Sequence, residues 1–275
     1  MSPPRIASLV PSLTELLVAL GLGPHLVART GFCVHPAEAV KQVPKVGGTK
    51  DVNLAKLRRL ASTHVLVNVD ENRLDTVEAI RAWPPAERPH ILVTHPQGPA
   101  DNLALIDQLV DVFGEAPAVR EHAAPLRQAL ADELAATDPR AHPPQRVLYL
   151  IWRDPWMTVA RDTYIARMLA QVNWHTLPAV DGGPQGAARY PVVRGDEPWL
   201  VDVQQVLLSS EPYAFGPQHL DAARALCPRA QARIVDGELI SWYGPRAAAG
   251  LRYLRTLAVE YTAPDHHDND PEEEE

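Results

Sequence analysis

The chain has 275 residues, of which 46% are hydrophobic and 22% are charged, a composition typical of globular proteins that excludes disorder of the whole chain. Its two cysteines, Cys33 and Cys227, are too few for a disulfide framework or a four-cysteine zinc site, although one disulfide between them stays possible. The formal charge of -8 and the lack of a basic stripe argue against nucleic acid as a partner.

The first predicted element follows Met1 closely. Residues 6–10 are apolar and predict a buried strand, while Ser12 and Glu15 have the spacing of a capping box for a helix that ends at Gly21. No secretory signal precedes this strand, and no apolar run approaches the ~20 residues that span a bilayer. We therefore expect a cytoplasmic protein that does not span a membrane. The alternative is a periplasmic or cell-surface protein whose leader is absent from this sequence.

Short apolar runs alternate with helical patterns along the rest of the chain, which predicts parallel sheets covered by helices. The predicted strands are residues 6–10, 65–69 and 91–94 in the first half and 147–151, 206–209 and 233–235 in the second. Between the halves, residues 117–137 predict a helix of about 30 Å that is kinked at Pro125.

The predicted fold class is therefore α/β, with two Rossmann-like lobes joined by one long rigid helix. The expected boundaries are an N-terminal lobe over 1–113, a linking helix segment over 114–143, a C-terminal lobe over 144–262 and a disordered acidic tail over 263–275. Acidic residues make up seven of the last eleven positions, without apolar periodicity, which predicts the disorder.

Aromatic residues are concentrated in the second half, where thirteen of the sixteen lie between Tyr149 and Tyr261. Several follow predicted strands, namely Trp152, Trp156, Tyr190, Trp242 and Tyr243. Ligands of open α/β sheets bind beyond the carboxyl ends of the strands, so these side chains are candidates for the wall of a cleft that holds a bulky or planar ligand. The alternative is that they pack in the core of the lobe.

Five motifs in order give the chain a family resemblance. They are IASLVPSLTE with ALGLG (6–15 and 19–23), VGGTKDVNL (46–54), VNVDENR (67–73), LLSSEPY (207–213) and DGELISWYG (236–244). In this order and spacing they resemble the vitamin B12-binding substrate receptors and their helical-backbone metal-receptor relatives, over residues 5 to about 260.

The resemblance implies a class III substrate-binding protein, a monomer that captures a metal chelate between its lobes and delivers it to an ABC permease. The chelate that we expect is cobalamin or another corrinoid, and a ferric siderophore or haem are the other chelates that such receptors bind. Such a protein has no intrinsic cofactor and is not an enzyme. The chain departs from the family at Thr63 and His64, where Pro-Asp is usual, and it lacks the leader or lipid-anchor cysteine of exported members. A cytoplasmic cofactor-binding protein without a transport role is therefore one alternative.

The resemblance and the strand ends together predict the ligand-binding residues. These are Ser12, Phe32, His35, Gly48, Thr49, Asn68, Trp152, Arg153, Trp156, Tyr190, Ser210, Trp242, Tyr243 and Arg246. Ser12 is alternatively a plain helix cap, and His35 is alternatively a metal ligand or a surface side chain. Arg153 and Arg246 stand beside aromatic residues, where a guanidinium can bind a ligand carboxylate or phosphate, with surface salt bridges as the alternative.

Two further roles are predicted. Glu71 and Glu211 occupy comparable places in the two lobes, and the resemblance implies that they dock to permease arginines; the alternative is a solvated surface glutamate. The other functional alternative is a receptor for a bare zinc or manganese ion. Its candidate ligands are four side chains near predicted strand ends, which would have to converge on the ion, namely His35, Asp70, His95 and Asp236.

Enzyme motifs are absent from the sequence. It contains no Gly-x-Ser-x-Gly, no Walker loop and no His-Glu-x-x-His, and Gly21 and Gly23 end a helix instead of opening a dinucleotide loop. Cys33 and His35 lack an orienting third group. The sequence therefore predicts a binding protein.

Overall fold

A computed structural model describes residues 3–262. The strands are β1 (Ile6–Ser8), β2 (Leu26–Arg29), β3 (His64–Asn68), β4 (His90–Thr94), β5 (Gln145–Leu150), β6 (Trp156–Met157), β7 (Trp174–Thr176), β8 (Val192–Val193), β9 (Gln205–Ser209) and β10 (Gln231–Val235). The helices are α1 (Pro11–Ala19), α2 (Ala37–Val40), α3 (Leu54–Arg59), α4 (Leu74–Arg81), α5 (Asp101–Phe113), α6 (Pro117–Ala135), α7 (Tyr164–Ala170), α8 (Leu220–Leu226), α9 (Gly237–Ser241) and α10 (Arg246–Thr262). Short 3-10 helices cover Gly23–His25, Pro139–Ala141, Ala187–Arg189, Pro198–Asp202 and Pro217–His219. The predicted acidic tail lies outside the described residues.

Two four-stranded parallel sheets form the centres of two lobes. Their strand orders are β2-β1-β3-β4 and β10-β9-β5-β7, and β6 and β8 form a separate antiparallel pair. The central strands are apolar and buried on both faces, as parallel strands covered by helices require. The predicted α/β class with two parallel sheets is confirmed. Each sheet contains one strand beyond the three predicted, the short strands β2 and β7.

Helix α1 begins at Pro11, two residues before Leu13, which would be the first helical residue if Ser12 were the N-cap, and the predicted capping box is wrong. Val10 is the N-cap, and its side chain has no atom that could accept a cap hydrogen bond, while Pro11 at the first helical position has no backbone N–H. Glu15 instead forms an ion pair with Arg246 of the second lobe, at 2.7 Å from its Nε. The side chain of Ser12 is buried.

Helix α6 connects the lobes. It has 19 residues, which corresponds to about 28 Å, and Pro125 lies inside it. It packs against α5 of the first lobe and α10 of the second. Glu133 of α6 accepts hydrogen bonds from Arg252 and from Arg255, the latter at 2.6 Å. The helix thus contacts both lobes along its length, within the predicted linking segment 114–143.

One hydrophobic core extends across both lobes. Its buried side chains include Leu13 and Leu16 of α1, Leu109 of α5, Tyr149 of β5 and Leu251 of α10. Separate, smaller clusters fill the opposite face of each sheet. The lobes therefore share a packed interface, a feature that opposes a wide hinge motion between them. No helix within 3–262 combines the length and apolar composition needed to cross a membrane.

Both cysteines are buried and free, so the possible disulfide between them does not form. The Sγ of Cys33 lies 3.1 Å from the Oγ1 of Thr30, and burial raises the pKa of its thiol. Burial likewise raises the pKa of Cys227, to about 11. Neither thiol has the character of a reactive nucleophile.

Candidate functional site

A cavity of about 1280 Å³ lies between the lobes at the carboxyl ends of their strands. The segments that follow β1, β2 and β3 form one wall, and those that follow β5, β9 and β10 form the other. Parallel α/β sheets place ligand sites at this edge because the connecting loops converge there. The cavity has the size and position of a ligand-binding cleft.

Eight of the predicted ligand-binding residues line this cavity. They are Ser12, Phe32, Thr49, Asn68, Trp152, Tyr190, Trp242 and Tyr243. Phe32 from the first lobe is 63% exposed and Trp152 from the second is 42% exposed, which is unusual for large apolar side chains. The two lobes thus each present an aromatic ring to the cavity.

Neighbouring rings hold Trp152 in its place. It contacts Tyr213 edge to face, with ring centroids 5.5 Å apart, and Tyr213 packs in turn on Phe215 at 4.6 Å. On the other lobe, Gly48 lies against Phe32, because a Cβ atom at position 48 would come within 3.3 Å of its ring. Gly48 therefore supports the aromatic wall and does not itself line the cavity.

The structure corrects the prediction for several other residues, whose side chains have partners outside the cavity lining. Trp156 stacks on Phe215 at 5.9 Å, and Arg153 lies over Trp156. The Oγ of Ser210 accepts the backbone N–H of Gly237 at 2.8 Å, at the start of α9. These residues build the second lobe.

Arg246 and His35 stand behind the cavity wall. The guanidinium of Arg246 lies over the ring of Trp242 at 4.6 Å and binds the carboxylates of Glu15 and Glu238. The Nε2 of His35 lies 3.4 Å from Glu238, and its ring meets Trp242 edge to face. Both residues therefore position Trp242 instead of lining the cavity, contrary to prediction.

The alternative metal site does not form. Asp236 caps α9, where its Oδ1 accepts the N–H of Leu239 at 3.0 Å. Asp70 faces Arg189 at 3.0 Å and His95 at 3.5 Å, while His35 pairs elsewhere. Within residues 3–262 no three His, Cys, Asp or Glu side chains are grouped so that they could hold a metal ion. The structure therefore does not bring the four predicted metal ligands together.

Four carboxylates line the cavity, namely Asp70, Glu71, Glu211 and Glu238. Asp70 is paired with Arg189, whose side chain is only 1% exposed, and Glu238 is paired with Arg246. Glu71 and Glu211 instead have neutral donors. The hydroxyl of Tyr243 donates to Oε1 of Glu71 at 3.0 Å, and both Ser241 and Trp242 donate to Oε1 of Glu211 at 2.6 Å.

Burial shifts the protonation of these two glutamates. Burial raises the pKa of Glu71 to about 7, and the charge of Glu211 adds to this effect. Burial also raises the pKa of Glu211, against the hydrogen bonds from Ser241 and Trp242. Both side chains are partly exposed in the cavity lining, and their role in permease docking stays a prediction.

Several lining residues were not predicted. The additional apolar side chains include Leu74 and Val77 of α4 and Tyr164 and Ile165 of α7. Leu74 is 59% exposed at the first position of its helix, and an apolar side chain at such a position was the available sequence signal. The lining arginines, Arg73 and Arg81, lie at the exposed edge of the cavity on the same segment.

Comparison with known proteins supports the fold and the resemblance. No family model matches the chain. A curated relative, an uncharacterized ABC transporter substrate-binding lipoprotein of Bacillus subtilis (YvrC), is 25% identical over 258 residues, which are 92% of this chain and 79% of the relative.

Solved structures superimpose over nearly the whole chain. The periplasmic vitamin B12-binding protein BtuF of Vibrio cholerae has a TM-score of 0.76 and 20% identity, and the match covers 95% of this chain and 99% of BtuF. The periplasmic heme-binding protein RhuT of Roseiflexus sp. RS-1 has a TM-score of 0.73 and 21% identity, with 94% and 98% covered. The heme-binding protein HutB of Vibrio cholerae has a TM-score of 0.71 and 21% identity, with 93% and 99% covered.

The fold is thus that of the class III substrate-binding proteins, two α/β lobes joined by a long helix with a ligand cleft between them. The resemblance drawn from the sequence motifs is confirmed by these neighbours. The curated relative is named as a substrate-binding protein, in agreement with the prediction of a binding protein that is not an enzyme.

Proposed function

We propose that this protein is the substrate-binding component of an ABC importer and that its ligand is a bulky metal chelate, most specifically a corrinoid such as cobalamin. The observation that carries the proposal is the interlobe cavity of about 1280 Å³ with an exposed aromatic ring on each lobe, Phe32 and Trp152. An aromatic ring from each lobe can pack against a bulky macrocycle, which removes a large apolar area from water.

The side chains of the cavity favour a chelate that brings its own axial ligands. Haem iron commonly takes an axial histidine or tyrosine from the protein. No histidine or cysteine belongs to the lining formed by the described residues. Burial raises the pKa of the lining tyrosines, to about 12 for Tyr190 and well above the usual value for Tyr243, and so opposes formation of a phenolate. A corrinoid, whose cobalt carries ligands on both faces, needs no such residue.

Ligand titration tests the proposal. Cobalamin, haem and a ferric siderophore are each added to the purified protein, and tryptophan fluorescence and thermal unfolding are recorded. Cobalamin at 100 times its dissociation constant should stabilise the fold by about 2.7 kcal/mol. Trp152 in the cavity wall provides the fluorescence signal. Absence of a response to all three chelates would contradict the proposal.

The relatives also favour one location over the other. Their names describe periplasmic proteins or a lipoprotein, which supports the periplasmic or cell-surface alternative and gives no support to the cytoplasmic prediction. We accordingly propose an extracytoplasmic protein that delivers its ligand to an ABC permease. Fractionation of the native cells checks this, since recovery of the protein only with the cytoplasm would contradict the transport role.

A further inference from the structure

The charges around the cavity are arranged by depth. The lining cations Lys50, Arg73 and Arg81 are exposed, whereas Glu71 and Glu211 are partly buried. Arg73 is already paired with Asp75, and the ammonium of Lys50 donates to the backbone oxygen of Asp70 at 2.7 Å. The lining carboxylates are therefore less exposed than the lining cations.

Two of the four lining carboxylates have no ion-pair partner among residues 3–262. Asp70 and Glu238 each have a guanidinium partner, whereas Glu71 and Glu211 receive hydrogen bonds only from hydroxyl and indole groups. The segment 241–243 supplies all of these neutral donors, so it brings the carboxylates of the two lobes to one part of the cavity. The two carboxylates also repel each other, because the charge of Glu211 raises the pKa of Glu71 more than the charge of Lys50 lowers it.

Each of these two carboxylates has an oxygen left for a ligand. The hydrogen bonds described above converge on Oε1 of Glu71 and on Oε1 of Glu211, and Oε2 of each accepts no hydrogen bond from a residue within 3–262. A carboxylate in a partly desolvated cavity gains most from N–H donors of a ligand. It repels a second carboxylate, and more strongly than in water because the local dielectric constant is lower.

We infer that Glu71 and Glu211 make the cavity selective for chelates with carboxamide groups around the macrocycle and against chelates with carboxylate groups there. The inference rests on the proposed function, because it assigns the periphery of the ligand that this cavity would hold. Each glutamate accepts an amide N–H through Oε2, and the pair excludes anionic side groups by charge repulsion.

A matched pair of corrinoids tests this selectivity. One carries carboxamides at its periphery, and the other is the same dicyano-cobalt macrocycle with those amides hydrolysed to carboxylates. Binding of both is measured by calorimetry at pH 8, above the pKa of about 7 of Glu71. We expect the amide form to bind at least about 10-fold tighter, which corresponds to about 1.4 kcal/mol.

Variants then assign the effect to the two side chains. The ratio of affinities should fall below about 3-fold in the double variant Glu71→Gln, Glu211→Gln, chiefly because the carboxylate form binds better. Gln keeps the acceptor for the Tyr243, Ser241 and Trp242 donors, and circular dichroism verifies the fold. Glu121→Gln removes a charge from the exposed side of α6 and is the control that should leave the ratio unchanged.

The outcomes separate the two proposals. Binding of neither corrinoid to the wild-type protein would overturn the proposed function. Equal binding of both forms, or a ratio that the double variant leaves unchanged, would overturn the selectivity alone. A preference for the carboxylate form would place the exposed arginines, and not the glutamates, in control of recognition.

Discussion

Replacing Glu71 with Gln should stabilise the free protein at alkaline pH, although the substitution touches the cavity and not the hydrophobic core. The carboxylate of Glu71 is partly buried beside a second carboxylate, and burial raises its pKa from the usual 4.5 to about 7. Gln retains an acceptor for the hydroxyl of Tyr243, so the variant removes the charge and keeps the hydrogen bond. The difference in unfolding free energy between the variant and the wild type therefore measures the free-energy cost of burying the charge of Glu71.

The sign and size follow from proton linkage. Between pH 4.5 and 7 the folded state binds a proton at Glu71 that the unfolded state has released, so the unfolding free energy of the wild type falls as pH rises through this window. The rise of this pKa from 4.5 to about 7 corresponds to about 3 kcal/mol, because a tenfold change in proton affinity is worth 1.36 kcal/mol. The variant lacks this loss, so its stability relative to wild type should rise by about 3 kcal/mol from pH 4 to pH 8.5.

Urea unfolding at pH 4, 5.5, 7 and 8.5 measures the difference. Comparing the two proteins at each pH cancels the contributions of the other titrating groups. Glu121→Gln on α6 controls for the loss of one negative charge from an exposed site. A difference between E71Q and wild type that stays constant within about 1 kcal/mol over this range would refute the assignment of a buried charge to Glu71.

Three further outcomes are expected. Ligand should change the radius of gyration in solution scattering by no more than about 1 Å, because the lobes share one core, and a decrease of several Å would disprove this rigidity. Trp152→Ala should weaken chelate binding by about 1–3 kcal/mol, whereas Trp156→Ala, outside the cavity, should lower thermal stability and leave affinity unchanged; equal losses of affinity would contradict the assignment. Arg189→Met should lower the unfolding free energy by about 3–5 kcal/mol, because it leaves the partly buried carboxylate of Asp70 without its guanidinium partner. Arg161→Met, which breaks an exposed ion pair, is the control, and an equally small loss of unfolding free energy in both variants would show that the Arg189–Asp70 pair contributes little to stability.

Much of the architecture could be predicted from the sequence because it is encoded locally. Apolar runs such as Val65 to Val69 specify buried parallel strands, and the pattern of residues 117–137 predicts the linking helix within two residues of its observed end, Ala135. The short strand β7 was not predicted, because its three residues, of which His175 is exposed, are too few to show a periodic pattern of apolar residues. The start of α1 was misplaced by two residues, since Ser12 and Glu15 have the spacing of a capping box whereas the helix already begins at Pro11.

The site was less predictable because a cavity depends on which partner each side chain finds across the lobes. Arg246 and His35 have the chemistry of ligand-binding residues, yet Glu15 and Glu238, distant in sequence, engage them. Glu71 and Glu211 looked like surface charges, whereas the fold turns both into the cavity. Long-range pairing of polar groups leaves no periodic pattern in a single sequence.

The shared core also constrains how the chain reaches its native state on the ribosome. Leu13 and Leu16 near the beginning of the chain pack in the same cluster as Leu254 and Leu257 of α10, the last described helix. The first sheet can form early in synthesis, but one of its covering helices lacks part of its packing until α10 emerges from the exit tunnel. Nascent chains stalled before α10 should therefore stay sensitive to protease at α1 and remain able to bind chaperones. Once the complete helix has left the exit tunnel, the shared core of both lobes can form in one cooperative step.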